Sequence, residues 1–108
     1  MLMRTLLLSA ALWMSLGVQA KEWLIDVRTA DEFSASHAVG ATNIEFQQIV
    51  SGVAKLGIAK QEPIRLYCRS GRRAESARQA LLAQGYQQVV NLGSLAQAQD
   101  WLEHQLRQ

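Results

Sequence analysis

The chain has 108 residues, 49% of them hydrophobic and 19% charged, which is the size and composition of one small globular domain. Its net charge of +2 is too small for a polybasic nucleic-acid-binding protein. The single cysteine, Cys68, excludes an intrachain disulfide framework and a multi-cysteine zinc site, and the two histidines, His37 and His104, lie far apart in the sequence. We therefore expect no metal, no cofactor and no nucleic-acid partner.

The first twenty residues have the pattern of a cleaved export signal. Arg4 precedes an uncharged, mostly apolar run over 5–18, and Val18-Gln19-Ala20 is a small-residue cleavage site. The alternative is a membrane anchor, but a spanning helix needs about 20 apolar residues, more than this run supplies. We predict a signal peptide over 1–20, a mature domain over 21–108 and no stable membrane insertion.

Short apolar runs alternate with helical stretches in the first half of the mature chain. Strands are predicted at 23–27 and, more briefly, at 41–44. Helices are predicted at 30–36, where two acidic residues suit a first helical turn, and at 46–53.

The second half continues this alternation more clearly. Strands are predicted at 64–68 and 89–92, and helices at 72–83 and 95–108. Alternating strands and helices predict an α/β fold with a parallel sheet covered by helices on both faces. Ligands of such sheets bind at the carboxyl ends of the strands, and Cys68 lies at that end of the clearest strand.

A six-residue loop, the Cys68 loop, connects this strand to the next helix. Successive backbone N–H groups in such a loop form an anion-binding nest at the helix N-terminus, and its glycine permits the tight curl. We expect the N–H groups and three arginines to stabilise a thiolate, a persulfide or an oxyanion. The alternative for a lone cysteine is a small buried hydrophobic residue. The loop consists of Cys68, Arg69, Ser70, Gly71, Arg72 and Arg73.

This loop fits the C-x-x-G-x-R pattern of the single-domain rhodaneses, which are thiosulfate sulfurtransferases. The resemblance extends over most of the chain from 21 to 101 and departs from the family at Val39, where a proline is usual, and at Ser94, where a second glycine is common. The leading strand of the family is missing or very short, so we expect about four strands. The other segments that resemble the family are 24–28, Glu32-Phe33, 37–44, Gly85-Tyr86 and 90–93.

The resemblance implies a two-step sulfur transfer through a Cys68 persulfide, from thiosulfate to cyanide, a thiol or a reduced thioredoxin-like protein. It implies that the backbone from Arg69 through Ser70 and Gly71 to Arg73 holds the charged sulfur, and that Arg69, Arg72 and Arg73 place the thiosulfate dianion. With an export signal, it also implies a periplasmic location.

Two further residues, Asp26 and Arg28, are expected near the Cys68 loop because they end a neighbouring strand. They are candidates for orienting the loop, but a structural Arg28–Glu32 pair is the favoured interpretation. An ionised thiol needs no general base, so His37 is expected to be structural.

Two other functions stay open. The domain could instead be a persulfide carrier or interaction module with little turnover on small donors. Phosphate chemistry is disfavoured, because related phosphatases have one more residue between the cysteine and the arginine than the four between Cys68 and Arg73.

Overall fold

The computed structural model describes residues 22–108. The predicted signal peptide over 1–20 lies outside the described residues. In chain order the elements are β1 (Trp23–Asp26), α1 (Ala30–Ala35), β2 (Thr42–Asn43), a 3₁₀ turn (Phe46–Gln48), α2 (Ile49–Lys55), β3 (Ile64–Cys68), α3 (Arg72–Ala83), β4 (Val89–Ser94) and α4 (Leu95–Leu106).

The four strands form one parallel sheet in the order β2-β1-β3-β4. The predicted α/β class, the parallel sheet and its four strands are confirmed. The strands β1 and β3 are central and parallel, so their carboxyl ends lie side by side at the same end of the sheet. The pairing of β3 with β4 is interrupted by a bulge, because Leu66 pairs with Asn91 whereas Tyr67 pairs with Gly93.

Helices cover both faces of the sheet, as predicted. Alternate residues of β3 point to opposite faces: Leu66 and Cys68 belong to the larger core cluster with Ala77 and Leu81 of α3. Tyr67 belongs to a smaller cluster with Ala98 of α4. The end of β3 is therefore packed on both faces of the sheet, Cys68 on one face and Tyr67 on the other.

The helix N-termini differ in how their backbone N–H groups are satisfied. Both α1 and α4 begin with a capping box, Thr29 with Glu32 and Ser94 with Gln97. Ser94 thus caps a helix at the position where the family more often has glycine. The start of α3 has Gly71 in place of a capping side chain and has no side-chain cap. The backbone N–H of Gly71 at this N-terminus belongs to the Cys68 loop.

Several predicted boundaries shift by a few residues. The helix predicted at 46–53 begins as a 3₁₀ turn and ends at Lys55, and the second strand is shortened to two residues. The strand predicted to end at 92 continues to Ser94, because the bulge lets β4 pair with β3 as far as Cys68. No helix among residues 22–108 is long and apolar enough to cross a membrane.

Candidate active site

Cys68 is the last residue of β3 and the first of the Cys68 loop. Its side chain is fully buried and packs within the larger core cluster. The Gly71 N–H donates to Sγ at 2.9 Å. A buried cysteine that served only as a hydrophobic residue would need no such donor, whereas a sulfur anion is stabilised by one.

The loop closes on the sulfur because Gly71 adopts a left-handed conformation, with φ of 92°. A side chain is disfavoured there for a second reason, because a Cβ atom at this position would lie 3.3 Å from the Gly93 Cα of β4. The backbone of the loop and the backbone of β4 are therefore in direct contact. Only glycine combines this conformation with this approach.

Asn91 of β4 bonds to the Cys68 loop, and the sequence analysis did not identify it as part of the site. Its Nδ2 donates to the Gly71 carbonyl oxygen at 2.9 Å, and its Oδ1 accepts from the Gly93 N–H at 2.8 Å. The available signal was a polar residue two positions after the buried Val89, in phase with the face of β4 that packs on α3.

The three arginines of the loop differ in their partners. Arg73 is ion-paired with Glu32 of α1, with Nη1 2.8 Å from Oε1. Arg69 is 77% exposed, and its Nε lies 3.9 Å from Oε2 of the same carboxylate. The Arg72 side chain is exposed and forms no hydrogen bond or ion pair among residues 22–108. The two accessible cations of the loop are therefore Arg69 and Arg72.

Glu32 is the carboxylate that organises this side of the loop. The hydrogen bond from Arg73 is the main reason that its pKa falls to about 2, and bonds from Thr29 contribute further. The side chain thus stays ionised at every physiological pH. It holds Arg73 against α1. The Arg73 guanidinium is therefore less free to bind a substrate anion than the sequence analysis predicted.

The structure contradicts the favoured pairing of Arg28 with Glu32. Arg28 instead forms a bidentate ion pair with Asp26, at 2.7 Å between Nη2 and Oδ2. Both residues are buried, and Asp26 also accepts from the Arg28 backbone N–H at 2.9 Å. The prediction was wrong because Glu32 lies within reach of Arg73, which is distant in sequence, and Asp26 is the nearer buried anion for Arg28.

His37 has a structural environment. Its ring stacks on Phe33 at 3.7 Å between centroids, and Nδ1 lies 2.8 Å from the Phe33 carbonyl oxygen. Tyr67, beside Cys68, is equally structural: its hydroxyl accepts from the Ala38 N–H at 3.0 Å, and burial raises its pKa to about 12. Neither side chain bonds to the Cys68 loop.

Two clefts open beside the loop. One, of about 350 Å³, is lined by Ser70, Arg72, Arg73, Phe46 and Ser76. The other, of about 370 Å³, is lined by residues that include Arg28, Arg69 and Ser94. The first suits a small anion, because it combines hydroxyl and guanidinium donors at the start of α3. Within 22–108 no cluster of His, Cys, Asp and Glu could hold a metal ion.

Comparison with known proteins places this geometry in a family. The chain matches the rhodanese-like domain over residues 10–99. It is 36% identical over 89 residues to the thiosulfate sulfurtransferase PspE of Escherichia coli, covering 82% of this chain and 86% of PspE. It is 38% identical over 72 residues to the uncharacterized protein YqhL of Bacillus subtilis, covering 67% of this chain and 56% of YqhL.

Solved structures agree in fold. A rhodanese from Escherichia coli, determined with anions, superposes with a TM-score of 0.68 and 31% identity, covering 71% of this chain and 91% of that one. A rhodanese-like domain from Anabaena gives a TM-score of 0.69 at 18% identity, covering 86% and 93%. From its sequence, its four-stranded sheet and its cysteine loop, the chain belongs to the rhodanese-like domain family.

Proposed function

We propose that the protein is a thiosulfate sulfurtransferase that carries sulfur on Cys68. The observation that carries the proposal is the 2.9 Å hydrogen bond from the Gly71 N–H to Sγ, at the start of a helix that no side chain caps. Similarity to a named thiosulfate sulfurtransferase supports it.

The reaction consists of two displacements at sulfur. The Cys68 thiolate attacks the outer sulfur of thiosulfate, the S–S bond of thiosulfate breaks, and its electron pair leaves with sulfite. Cyanide or a thiolate then attacks the outer sulfur of the Cys68 persulfide, and the electron pair of the broken S–S bond regenerates the thiolate. A covalent intermediate of this kind predicts ping-pong kinetics.

The charged groups of the Cys68 loop have two roles, binding of the donor anion and maintenance of the loop geometry. Arg69 and Arg72 are exposed beside the buried sulfur and attract the dianion. Arg73 contributes its positive charge from a fixed place, because Glu32 holds its guanidinium. The Gly71 N–H stabilises the thiolate and then the sulfur bonded to it.

The same charges predict the donor. Thiosulfate is a compact dianion, whereas 3-mercaptopyruvate has one carboxylate placed away from its thiol, so a loop with accessible cations favours thiosulfate. Steady-state kinetics with both donors tests this preference. We expect a higher kcat/KM for thiosulfate, and a value for mercaptopyruvate equal to or above it would overturn the assignment.

The alternative is a persulfide carrier that accepts sulfur from a protein and turns over small donors negligibly. Burial of the thiol favours small donors, because a compact anion reaches a buried sulfur more readily than a protein surface does. Turnover of thiosulfate by the pure protein supports the enzyme. Persulfide transfer from a protein donor without such turnover would establish the carrier.

We further propose that the protein acts in the periplasm after cleavage behind Ala20, with a thiol such as a reduced thioredoxin-like protein as one acceptor. The residue pattern over 1–20 supports export. Intact mass of the protein from the periplasmic fraction tests the proposal. We expect a chain that begins at Lys21, and a membrane-bound chain that retains residues 1–20 would contradict it.

A further inference from the structure

The side chain of Asn91 forms three hydrogen bonds, and one of them connects β4 to the Cys68 loop. Nδ2 donates to the Gly71 carbonyl oxygen at 2.9 Å and to Oε1 of Glu75 at 3.3 Å, and Oδ1 accepts from the Gly93 N–H at 2.8 Å. Because a backbone N–H can only donate and a backbone carbonyl can only accept, these partners fix the orientation of the amide. Each polar atom of this side chain has a partner.

We propose that Asn91 is a positioning residue for the sulfur site, which holds Gly71 in the conformation that directs its N–H to the Cys68 Sγ. Only one readout of the test, the kinetics with thiosulfate, rests on the proposed function. The Asn91 side chain itself forms no hydrogen bond to the Cys68 sulfur.

The link between Asn91 and the sulfur runs through one glycine. The Gly71 carbonyl accepts from Asn91, and the Gly71 N–H donates to Sγ. With φ at 92°, this residue has many other conformations open to it, since glycine has no side chain to restrict it. Anchoring its carbonyl oxygen therefore limits where its N–H points.

The bulge in β4 makes this anchor possible. Asn91 pairs with Leu66 and Gly93 with Tyr67, so one extra residue lies between them on β4. The Gly93 N–H consequently bonds to the Asn91 side chain, and the Gly93 Cα lies against Gly71. Bulges of this kind commonly redirect groups next to functional sites.

A charged group on α3 fixes the second hydrogen of the amide. Glu75 accepts from Asn91 and from Arg78 and Gln79 of its own helix. These bonds, led by that from Arg78, lower the pKa of Glu75 to about 2, so it is a carboxylate at neutral pH. The amide is therefore held at both ends before any substrate binds.

The first test follows ionisation of the thiol, which requires no turnover. Cys68 is the sole cysteine, so the ultraviolet absorbance of its thiolate can be titrated with pH, with Cys68→Ser as the blank. In Asn91→Ala we expect the midpoint to rise by about one pH unit, because the Gly71 N–H no longer stays directed at the anion.

The chain offers a matched control in Asn43→Ala. The Asn43 Nδ2 also donates to two backbone carbonyls, those of Asp26 and Arg28, at 3.0 Å each. Asn43 lies at the carboxyl end of β2, on the opposite edge strand from Asn91, and its side chain forms no hydrogen bond to the Cys68 loop. We expect a similar loss of thermal stability in this variant without a change in the titration midpoint.

A second variant and a kinetic readout complete the test. Asn91→Asp keeps the shape of the side chain and the acceptor for Gly93 but cannot donate to the Gly71 carbonyl when ionised, so its midpoint should rise at least as far as that of the alanine variant. We expect kcat/KM for thiosulfate to fall about tenfold in Asn91→Ala and at most about twofold in Asn43→Ala.

The outcomes separate this inference from the proposed function. A raised midpoint in both Asn91 variants, with an unchanged one in Asn43→Ala, supports the positioning role even if the parent shows no turnover of thiosulfate. Titration midpoints equal to that of the parent would overturn it, even if the parent is an active sulfurtransferase. An equal rise in Asn43→Ala would also overturn it, because the effect would then be a general loss of stability.

Discussion

The segments at the carboxyl ends of β1 and β3 lie side by side, and they differ in whether their charged side chains are paired. After β1, buried Asp26 and Arg28 neutralise each other through a bidentate ion pair. After β3, the buried Cys68 sulfur has one backbone donor, and Arg69 and Arg72 are exposed. Under the proposed function, paired charge at this end of the sheet stabilises the fold, whereas the accessible charge binds the donor anion.

The largest expected effect comes from breaking the neutralised loop. Arg28→Met leaves the Asp26 carboxylate buried without its partner, which should lower the free energy of unfolding by about 3–5 kcal/mol. Urea denaturation measures this loss. Asp26→Asn, a smaller change, should destabilise the protein in the same direction.

Arg107→Gln is the control for this experiment, because it removes an arginine that is 75% exposed and pairs with Glu103 on the surface of α4. Its loss should change stability by less than about 0.5 kcal/mol. Equal stabilities of Arg28→Met and the control would show that the buried pair does not hold this loop.

Substitutions of the exposed arginines in the Cys68 loop should weaken binding of the donor and leave the stability of the fold unchanged. Arg69→Gln or Arg72→Gln should raise the KM for thiosulfate about tenfold or more, since each removes a charge-assisted contact of about 1–3 kcal/mol. Steady-state kinetics at fixed cyanide checks this, with Arg107→Gln again as a charge-matched control. Unchanged KM in both loop variants would mean that these two arginines do not bind the donor.

Glu32 joins the two regions, and its contribution should depend on pH. Its folded-state pKa of about 2 lies below the ordinary value of 4.5, so the stabilisation is complete above about pH 4.5 and is lost as the pH falls toward 2. Glu32→Gln retains a residue that suits the capping box but loses the ion pair with Arg73. We expect it to be less stable by about 1 kcal/mol at pH 7.

This difference should shrink as the pH is lowered from 4.5 to 2, and thermal unfolding at several pH values measures it. A difference that stayed constant over this interval would show that the stabilisation does not come from the ionised carboxylate.

The smallest effect is that of salt, which should weaken thiosulfate use in the parent more than in Arg69→Gln or Arg72→Gln.

Elements with strong local signals were predictable from the sequence, and pairings between distant residues were not. The run 64–68 and the helix after it have clear periodicity, and the Cys68 loop was found from residue types alone. The Glu32–Arg73 pair joins residues 41 positions apart, so no spacing rule could indicate it.

The role of Asn91 was missed for a related reason. Its bonds depend on a bulge that shifts the pairing of two strands by one residue, and strand registers are not visible in the sequence of either strand. The predicted signal peptide remains a prediction, and the family match that begins at residue 10 overlaps it.

The intact mass of the purified protein tests the central proposal most directly. After thiosulfate, the parent should gain the mass of one sulfur atom, and cyanide should remove it again. Cys68→Ser, which keeps the size of the buried side chain, should fold but never gain this mass, because serine is not ionised at neutral pH. An unchanged mass of the parent, or the same gain in Cys68→Ser, would contradict sulfur transfer through Cys68.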